Sequence, residues 1–303
     1  MKVLLFTHIS DIDGINNVVL AKLAFKNIDY VLCEAAGVDE EIQKKLNSFD
    51  KYEMIFITDL CPTDKMLGII NNSSFKDKIK VFDHHKGALD LLTITYDFVN
   101  ITIENDKGLC CGTSLFYEYL IKNNFLKEST VLNELVELTR KYDTWEWTKD
   151  NTLLARDLTW LLNASGIDRY LKKIMNRVKQ EHFSLIKNDY IEIHDWKKKL
   201  DEIINKQVDK VIYLNIDGYK AGIITTIYEY RNDVTEYVRK QKLDIDFLAL
   251  VFTDKDSISY RSVKENVDVN EIAKQYGGKG HVNAASSPIT FEEKNNIIAY
   301  FCK

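Results

Sequence analysis

The sequence contains very little proline, with only Pro62 and Pro288 in 303 residues. A proline-rich linker between domains is therefore excluded. Long apolar runs are also lacking. Residues 3–6 are apolar, but polar residues follow at once, so the run is too short for a signal peptide. No later run approaches the roughly 18 apolar residues of a membrane-spanning helix. We therefore expect a cytoplasmic protein without a membrane partner.

Cysteine is also sparse. The five cysteines form no C-x-x-C pair, and their number is odd. Both features disfavour a disulfide framework and predict reduced thiols. Without paired thiolates, a structural zinc site is not expected either.

A large excess of positive charge is missing as well. The chain has 41 Lys and Arg against 46 Asp and Glu, a net charge of −5. A protein that binds long duplex nucleic acid is therefore disfavoured, whereas a small anionic substrate remains compatible with this charge. With 45% hydrophobic and 29% charged residues, the composition is that of an ordinary globular protein, and the length predicts about two domains.

Short apolar runs that end in polar or acidic residues recur in the first half of the chain. They predict buried strands at 3–8, 30–35, 54–59 and 79–85. Segments with helical spacing lie between these runs, which favours an α/β fold built on an open, mainly parallel sheet flanked by helices. Ligands of such sheets bind at the carboxyl ends of the strands.

The second half of the chain has a different pattern. Helical spacing predicts helices at 112–123, 130–142 and 152–163, and a long polar helical stretch from 170 to 208. Further strands are predicted at 211–214, 221–226, 247–252 and 257–262, with helices at 233–241, 268–276 and 291–301. We therefore predict a first α/β domain over 1–178, a helical connector over 179–209 and a smaller α/β domain over 210–303, with the active site in the cleft between the two domains.

Acidic and histidine residues collect where the predicted strands of the first domain end. His8, Asp11 and Asp13 follow the first strand, Asp59 follows another, and residues 83–85 (Asp-His-His) follow a third. Carboxylates are rarely buried unless they are paired or bind a metal. Carboxylate and imidazole ligands suit Mn²⁺, Mg²⁺ or Fe²⁺, so the sequence predicts a metal site at one sheet edge.

Four short blocks resemble the motifs of the DHH phosphoesterase superfamily. They are THISDIDG (7–14), ITDL (57–60), FDHH (82–85) and YDTW (142–145). The block GGKGHVNAAS (277–286) is similar to the signature of the DHHA1 domain. The blocks occur in family order and span most of the chain, whereas each alone would be a weak signal.

The resemblance implies a pair of divalent ions, usually Mn²⁺, that activate water for attack on phosphorus. His8 and Asp11 would bind one ion, and Asp59 would bridge both. The ligands of the other ion would be Asp13, His84 and Asp143. Among the catalytic residues, His85 would lie near the phosphate or the leaving oxygen, and Asp83 would orient an imidazole.

The resemblance also places substrate binding in the second domain. The implied residues are Arg261, Gly278, Lys279, Gly280 and His281. An arginine fork suits a pair of phosphate oxygens, and backbone without Cβ can approach a phosphate closely. Lys279 interrupts the glycine run that the family usually has, so it adds a cation beside the phosphate or points to solvent.

The implied function is hydrolysis of phosphodiester bonds in short oligonucleotides by a Mn²⁺-dependent, nanoRNase-like enzyme. A cyclic mono- or dinucleotide phosphodiesterase and a 3′-phosphoadenosine-phosphate phosphatase stay open as alternatives, and a catalytically silent nucleotide sensor is a further one. A homodimer is compatible with the sequence.

Two features near the motifs carry both a structural and a functional interpretation. Trp145 and Trp147 are expected to pack between helices, with stacking on a nucleobase as the alternative. Gly112 and Thr113 begin a predicted helix, either as an ordinary helix start or as an N-terminus that faces a phosphate.

Overall fold

Two larger sheets organise the chain, one in each of two units, Met1–Trp196 and Lys197–Lys303. The computed structural model describes residues 1–252, 254–264 and 266–289, so the predicted helix at 291–301 lies outside the described residues. The boundary between the units falls inside the helix Lys187–Val208, within the segment that we predict as a connector.

The first unit contains a five-stranded, fully parallel sheet in the order β2-β1-β3-β4-β5. Its strands are β1 Lys2–His8, β2 Asn27–Cys33, β3 Met54–Thr58, β4 Ile79–Asp83 and β5 Val99–Ile101. The predicted open parallel sheet is therefore confirmed. The fifth strand was not predicted, because a run of three residues with an exposed asparagine at its centre carries too little apolar signal.

Helices cover both faces of this sheet, because successive residues of its strands alternate between two hydrophobic cores. The helices are α1 Ile12–Ala24, α2 Val38–Lys45, α3 Asp64–Asn71, α4 Lys86–Leu91, α5 Gly112–Lys122, α6 Thr130–Asp143, α7 Leu153–Ser165 and α8 Ile167–Arg177. Val3 and Leu5 pack in one core with α1, α5, α6, α7 and α8, whereas Leu4 and Phe6 pack in the other with α2 and α3. A small hairpin, β6 Glu104–Asn105 with β7 Gly108–Leu109, precedes α5.

The predicted continuous helical stretch from 170 to 208 is interrupted. Helix α8 ends at Arg177, and the next helix, α9, spans Lys187–Val208. The segment between them turns inward, because Phe183 and Leu185 are buried in the core of the first unit. Burial of two large side chains outweighs the helical tendency of the polar residues around them.

The second unit contains a six-stranded sheet in the order β12-β13-β11-β10-β9-β8, antiparallel except for the pair β9–β10. Its elements are β8 Ile212–Ile216, β9 Tyr219–Thr226, α10 Arg231–Gln241, β10 Phe247–Phe252, β11 Ser257–Ser262, α11 Val269–Gln275, β12 Lys279–His281 and β13 Ala284–Pro288. The smaller α/β domain is thus confirmed. Strands β12 and β13 were not predicted, because glycine, alanine and serine have low strand propensity.

Membrane crossing would need a helix that is both long and apolar, and none of the helices in the described ranges meets that requirement.

Candidate functional site

Three strands of the first sheet end at the same edge and deliver polar side chains there. His8 is the last residue of β1, Asp59 follows β3, and Asp83 ends β4. The carboxyl ends of parallel strands lie side by side, which brings residues far apart in sequence into contact. Asp59 adopts a left-handed backbone conformation with φ of 57°. Backbone strain of this kind is tolerated by aspartate and concentrates at functional sites.

A first group of metal-ligating atoms comprises His8, Asp11 and Asp59. Nδ1 of His8 lies 3.0 Å from Oδ2 of Asp11 and 3.6 Å from Oδ2 of Asp59. Asp11 is also the N-cap of α1, where its other oxygen accepts the Gly14 N–H at 3.0 Å. This cap holds the carboxylate in place beside the imidazole.

A second group comprises Asp13, His84 and Asp143. Nε2 of His84 lies 3.6 Å from Oδ2 of Asp13 and 3.5 Å from Oδ2 of Asp143. The same nitrogen lies 3.3 Å from Oδ1 of Asp59. One carboxylate oxygen of Asp59 therefore faces each group.

The N-terminus of α5 positions Asp13. The backbone N–H groups of Gly112 and Thr113 donate to the two carboxylate oxygens of Asp13 at 2.6 and 2.7 Å. Gly112 also has no room for a side chain, because a Cβ there would lie 2.6 Å from Cβ of Asp59. The start of α5 therefore holds a carboxylate of the cluster, which the positive end of the helix dipole attracts.

The clustered carboxylates have strongly perturbed proton affinities. Burial raises the pKa of Asp59 well above its usual range, and the charges of Asp13 and Asp11 raise it further. Burial, followed by the charge of Asp13, raises the pKa of Asp143 to about 8. Burial opposes the charged form of His8, but its contacts with Asp11 and Asp59 together raise the pKa to about 11. The site thus concentrates more negative charge than its surroundings compensate.

Two buried atoms at the centre of the cluster lack hydrogen-bond partners among the described residues. They are Oδ2 of Asp59 and Nε2 of His84. Unpaired polar atoms are expensive to bury, and a cation between the groups would satisfy both of them and reduce the repulsion between carboxylates. The oxygen and nitrogen donors of the two groups therefore fit divalent metal ions.

Beside the cluster, His85 is 57% exposed and its Nδ1 lies 2.7 Å from Oδ1 of Asp83. Asp83 is buried and also accepts the backbone N–H of His84 at 2.8 Å. This hydrogen bond is the main reason that the pKa of His85 is raised. Asp83 therefore orients the ring of His85.

The predicted substrate-binding residues lie on strands β11 and β12 of the second unit, except Gly278, which directly precedes β12. Arg261 of β11 is paired with Ala284 of β13, which is also paired with His281 of β12. Burial, followed by the like charge of Arg231, lowers the pKa of Arg261. Lys279 is the first residue of β12.

Gly278 and Gly280 have a packing role that the sequence did not reveal. A Cβ on Gly278 would lie 2.2 Å from the carbonyl oxygen of Ser286, and one on Gly280 would lie 2.3 Å from Cα of Ala285. The neighbouring strand β13 therefore excludes side chains at both positions.

Two residues near the cluster were missed or misjudged from the sequence. Oε2 of Glu34 lies 3.2 Å from Nε2 of His8. Glu34 directly follows β2, so the signal that identified the other strand-end residues was available for it too. Trp145 is 59% exposed, so the predicted packing between helices is wrong for this residue. For Trp147 the predicted packing is confirmed, because its side chain packs against the core that contains Val3 and Leu5.

A scan against protein-family models found no match. Among solved structures, an uncharacterized protein from Helicobacter pylori G27 is similar over 99% of this chain and 98% of its own, with a TM-score of 0.50 and 20% identity. The pGpG-specific phosphodiesterase PggH from Vibrio cholerae is similar over 99% and 97% of the two chains, with a TM-score of 0.50 and 15% identity. These likenesses show that the fold occurs in known proteins.

The ordered motifs and the strand-end cluster resemble those of the DHH/DHHA1 phosphoesterase superfamily. A sequence match along nearly the whole chain supports this resemblance. The sequence match is to Oligoribonuclease NrnB of Bacillus subtilis (strain 168), with 29% identity over 304 residues, covering 97% of this chain and 75% of that protein.

Proposed function

We propose that the protein is a Mn²⁺-dependent phosphodiesterase that hydrolyses short oligonucleotides by two-metal activation of water. The observation that carries the proposal is the position of Asp59, whose two carboxylate oxygens face two separate groups of ligands. Similarity to an oligoribonuclease over 97% of this chain and 75% of that protein supports the substrate class. The net charge of −5 favours short substrates over long polyanions. The proposed location is the cytoplasm.

In this mechanism His8 and Asp11 would hold one ion, Asp13, His84 and Asp143 would hold the other, and Asp59 would serve both groups of ligands. When bound, such a pair of ions lowers the pKa of water and neutralises charge on the phosphate. The N-terminus of α5 holds the carboxylate of Asp13 in place through two backbone hydrogen bonds. These contacts set the spacing of the ligand groups before any substrate binds.

His85 is proposed to act on the substrate. Its Nδ1 is held by Asp83, and its Nε2 forms no hydrogen bond with the described residues. This nitrogen is therefore available to contact the phosphate or to give a proton to the leaving oxygen. A buried carboxylate that is hydrogen-bonded to one ring nitrogen commonly fixes a partly exposed imidazole in one tautomer.

Substrate phosphates are proposed to bind to the second domain through Arg261, His281 and the segment Gly278–Lys279–Gly280. Burial, followed by the like charge of Arg231, lowers the pKa of Arg261, and the negative charge of a phosphate would offset both effects. Residues 1–178, 179–209 and 210–303 are then the catalytic domain, the connector and the substrate-binding domain.

The test is hydrolysis of a substrate panel with Mn²⁺ and with chelator. The panel contains a dinucleotide, a five-mer, a long single strand, cyclic mono- and dinucleotides, and 3′-phosphoadenosine-phosphate. The proposal predicts Mn²⁺-dependent release of mononucleotides from the dinucleotide and the five-mer. Activity restricted to a cyclic nucleotide or to 3′-phosphoadenosine-phosphate would replace it with the corresponding alternative.

Asp59→Asn is the inactive control, since it preserves the size of the side chain and removes its charge. Asp50→Asn is the matched active control, because Asp50 is an exposed aspartate outside the site. Activity that is lost in both variants, or retained in both, would contradict the assignment of Asp59.

A further inference from the structure

Trp145 has two energetically unfavourable features. With 59% exposure it is the most exposed large hydrophobic side chain among the described residues. Its backbone lies in the left-handed region, with φ of 63° and ψ of 10°. Bulky aromatic residues rarely adopt this conformation, and such strain is retained where the surroundings enforce it. Asparagine or glycine would adopt it more readily.

Local hydrogen bonds and ring contacts hold Trp145 in place. Its backbone N–H donates to the carbonyl oxygen of Tyr142 at 3.2 Å, and its own carbonyl accepts the hydroxyl of Thr148 at 2.8 Å. Its ring stacks with Trp147 at 6.5 Å between centroids, and Trp147 in turn stacks with Tyr142 at 6.1 Å. Trp147 packs against the core, so the exposed indole is supported from behind.

Trp145 lies close in sequence to a residue of the metal-ligating cluster. Asp143, whose carboxylate lies 3.5 Å from His84, is only two residues before Trp145. The turn that begins at the end of α6 therefore links a cluster carboxylate to a flat apolar surface. Every nucleobase has a flat face that stacks on aromatic side chains, with little dependence on base identity.

We propose that Trp145 is a stacking platform for one nucleobase of the substrate, next to the phosphate that is cleaved. The inference rests on the proposed function and deepens it. Tight binding would require a nucleobase in addition to a phosphodiester. A purine or pyrimidine nucleotide is thus the ligand class, and phosphate esters without a base are poor substrates.

The kinetic test compares a dinucleotide with two analogues that each lack one base. Trp145→Leu removes the ring and Trp145→Phe retains one. Trp145→Asn also removes the ring and suits the left-handed backbone, which guards against a folding defect in the leucine variant. Tyr213→Leu is the matched control, because Tyr213 is 56% exposed and lies in the other unit.

We expect the leucine and asparagine variants to raise KM for the dinucleotide about tenfold, with kcat within about threefold of the wild type. For the analogue that lacks the stacked base, the same variants leave KM unchanged. Trp145→Phe and Tyr213→Leu stay close to the wild type. An equal rise in KM for all three substrates, or no rise for the dinucleotide, overturns the proposal.

A binding measurement separates this inference from the proposed function. Adenosine 5′-monophosphate, but not ribose 5-phosphate, is expected to quench the tryptophan fluorescence of the wild type, and Trp145→Phe is expected to lose this quenching. Quenching without hydrolysis of any dinucleotide would contradict the proposed function and support the platform. Hydrolysis without base-dependent quenching would contradict the platform alone.

Discussion

The carboxylate of Glu34 lies 3.2 Å from Nε2 of His8, while Nδ1 of the same ring lies 3.0 Å from Asp11. One nitrogen of this imidazole thus faces the ligand cluster and the other is held by a carboxylate. Glu34 also accepts the hydroxyl of Ser10 at 2.7 Å, which fixes its position. A carboxylate on the outer nitrogen of a ligating histidine sets its tautomer and increases its basicity.

Glu34→Gln is expected to lower the affinity for Mn²⁺ about tenfold, because the amide keeps the shape of the side chain but loses its charge. Calorimetric titration of the metal-free protein with Mn²⁺ measures this change. Glu40→Gln is the control, since Glu40 is 73% exposed and pairs with Lys44 on the same helix. Equal affinities in the two variants would show that Glu34 does not support His8.

Substitutions of Asp59 and Arg261 are expected to change different kinetic parameters. Asp59→Asn should reduce kcat by a factor on the order of 10³ or more, because its two oxygens face both ligand groups. Arg261→Ala should mainly raise KM, by roughly tenfold, because it removes a charged contact to substrate phosphate. Steady-state kinetics on a dinucleotide separates the two effects, and near-normal turnover in Asp59→Asn with Mn²⁺ present would rule out the two-metal mechanism.

Gly112→Ala tests the close approach between α5 and Asp59. The added Cβ would lie 2.6 Å from Cβ of Asp59 and 2.9 Å from its Cα, so the backbone of one segment must move. We expect a loss of about 1–3 kcal/mol in the free energy of unfolding and weaker Mn²⁺ binding. Chemical denaturation and metal titration measure these two quantities.

The control for this variant is Gly87→Ala. Gly87 lies in α4, and a Cβ there meets no atom within 4 Å. Its stability should stay the same or rise by up to about 1 kcal/mol, because alanine is the better helix former. If Gly112→Ala behaved in the same way, the cluster would tolerate displacement of Asp59.

Asp189 is expected to stabilise the first unit through a buried ion pair between α8 and α9. Its side chain is fully buried, and its oxygens lie 2.7 Å from Nζ of Lys173 and 2.7 Å from a guanidinium nitrogen of Arg177. Asp189→Asn leaves both cations partly buried without this partner and should cost about 3 kcal/mol. Asp201→Asn removes an exposed pair with Lys197 and should cost less than about 1 kcal/mol.

The stabilisation by Asp189 should depend on pH in the acid range. Burial opposes its charge, but the contacts with Lys173 and Arg177 lower its pKa below the usual value. A lowered pKa means that the contribution is complete above pH ~4 and is lost as the pH falls through the pKa of the folded state. Denaturant titrations of wild type and Asp189→Asn should therefore converge below pH 4. A constant difference down to pH 2 would contradict the ion-pair interpretation.

The central sheet and the cluster residues were accessible from the sequence for a common reason. A buried parallel strand is a short apolar run, so four of the five strands of the first sheet were predicted close to their observed bounds. Residues that follow such runs must meet at one edge of the sheet, which brings His8, Asp59 and His84 together. Asp143 ends a helix, and its role was inferred only through the YDTW block.

Other features depended on contacts between distant segments. Glu34 lies at the end of a predicted strand, as other cluster residues do, but only the folded chain shows that its carboxylate contacts His8. The apolar pattern does not show that α8 and α9 are separate helices, because burial of Phe183 and Leu185 depends on the core that receives them. The large apolar side chain of Trp145 is of the type expected in a core. Only its backbone conformation and its neighbours in the folded chain leave it exposed.

By itself, the amino-acid sequence determined the α/β class, the order of the strands along the chain and the chemical types of the cluster residues, because these follow from local periodicity and residue chemistry. Tertiary structure decided the spacing of the ligand groups. Gly112 and Asp13 are 99 residues apart in the chain, yet a 2.6 Å hydrogen bond joins them. The position of a carboxylate to within a fraction of an ångström is set by packing across the whole unit, and no local sequence pattern encodes it.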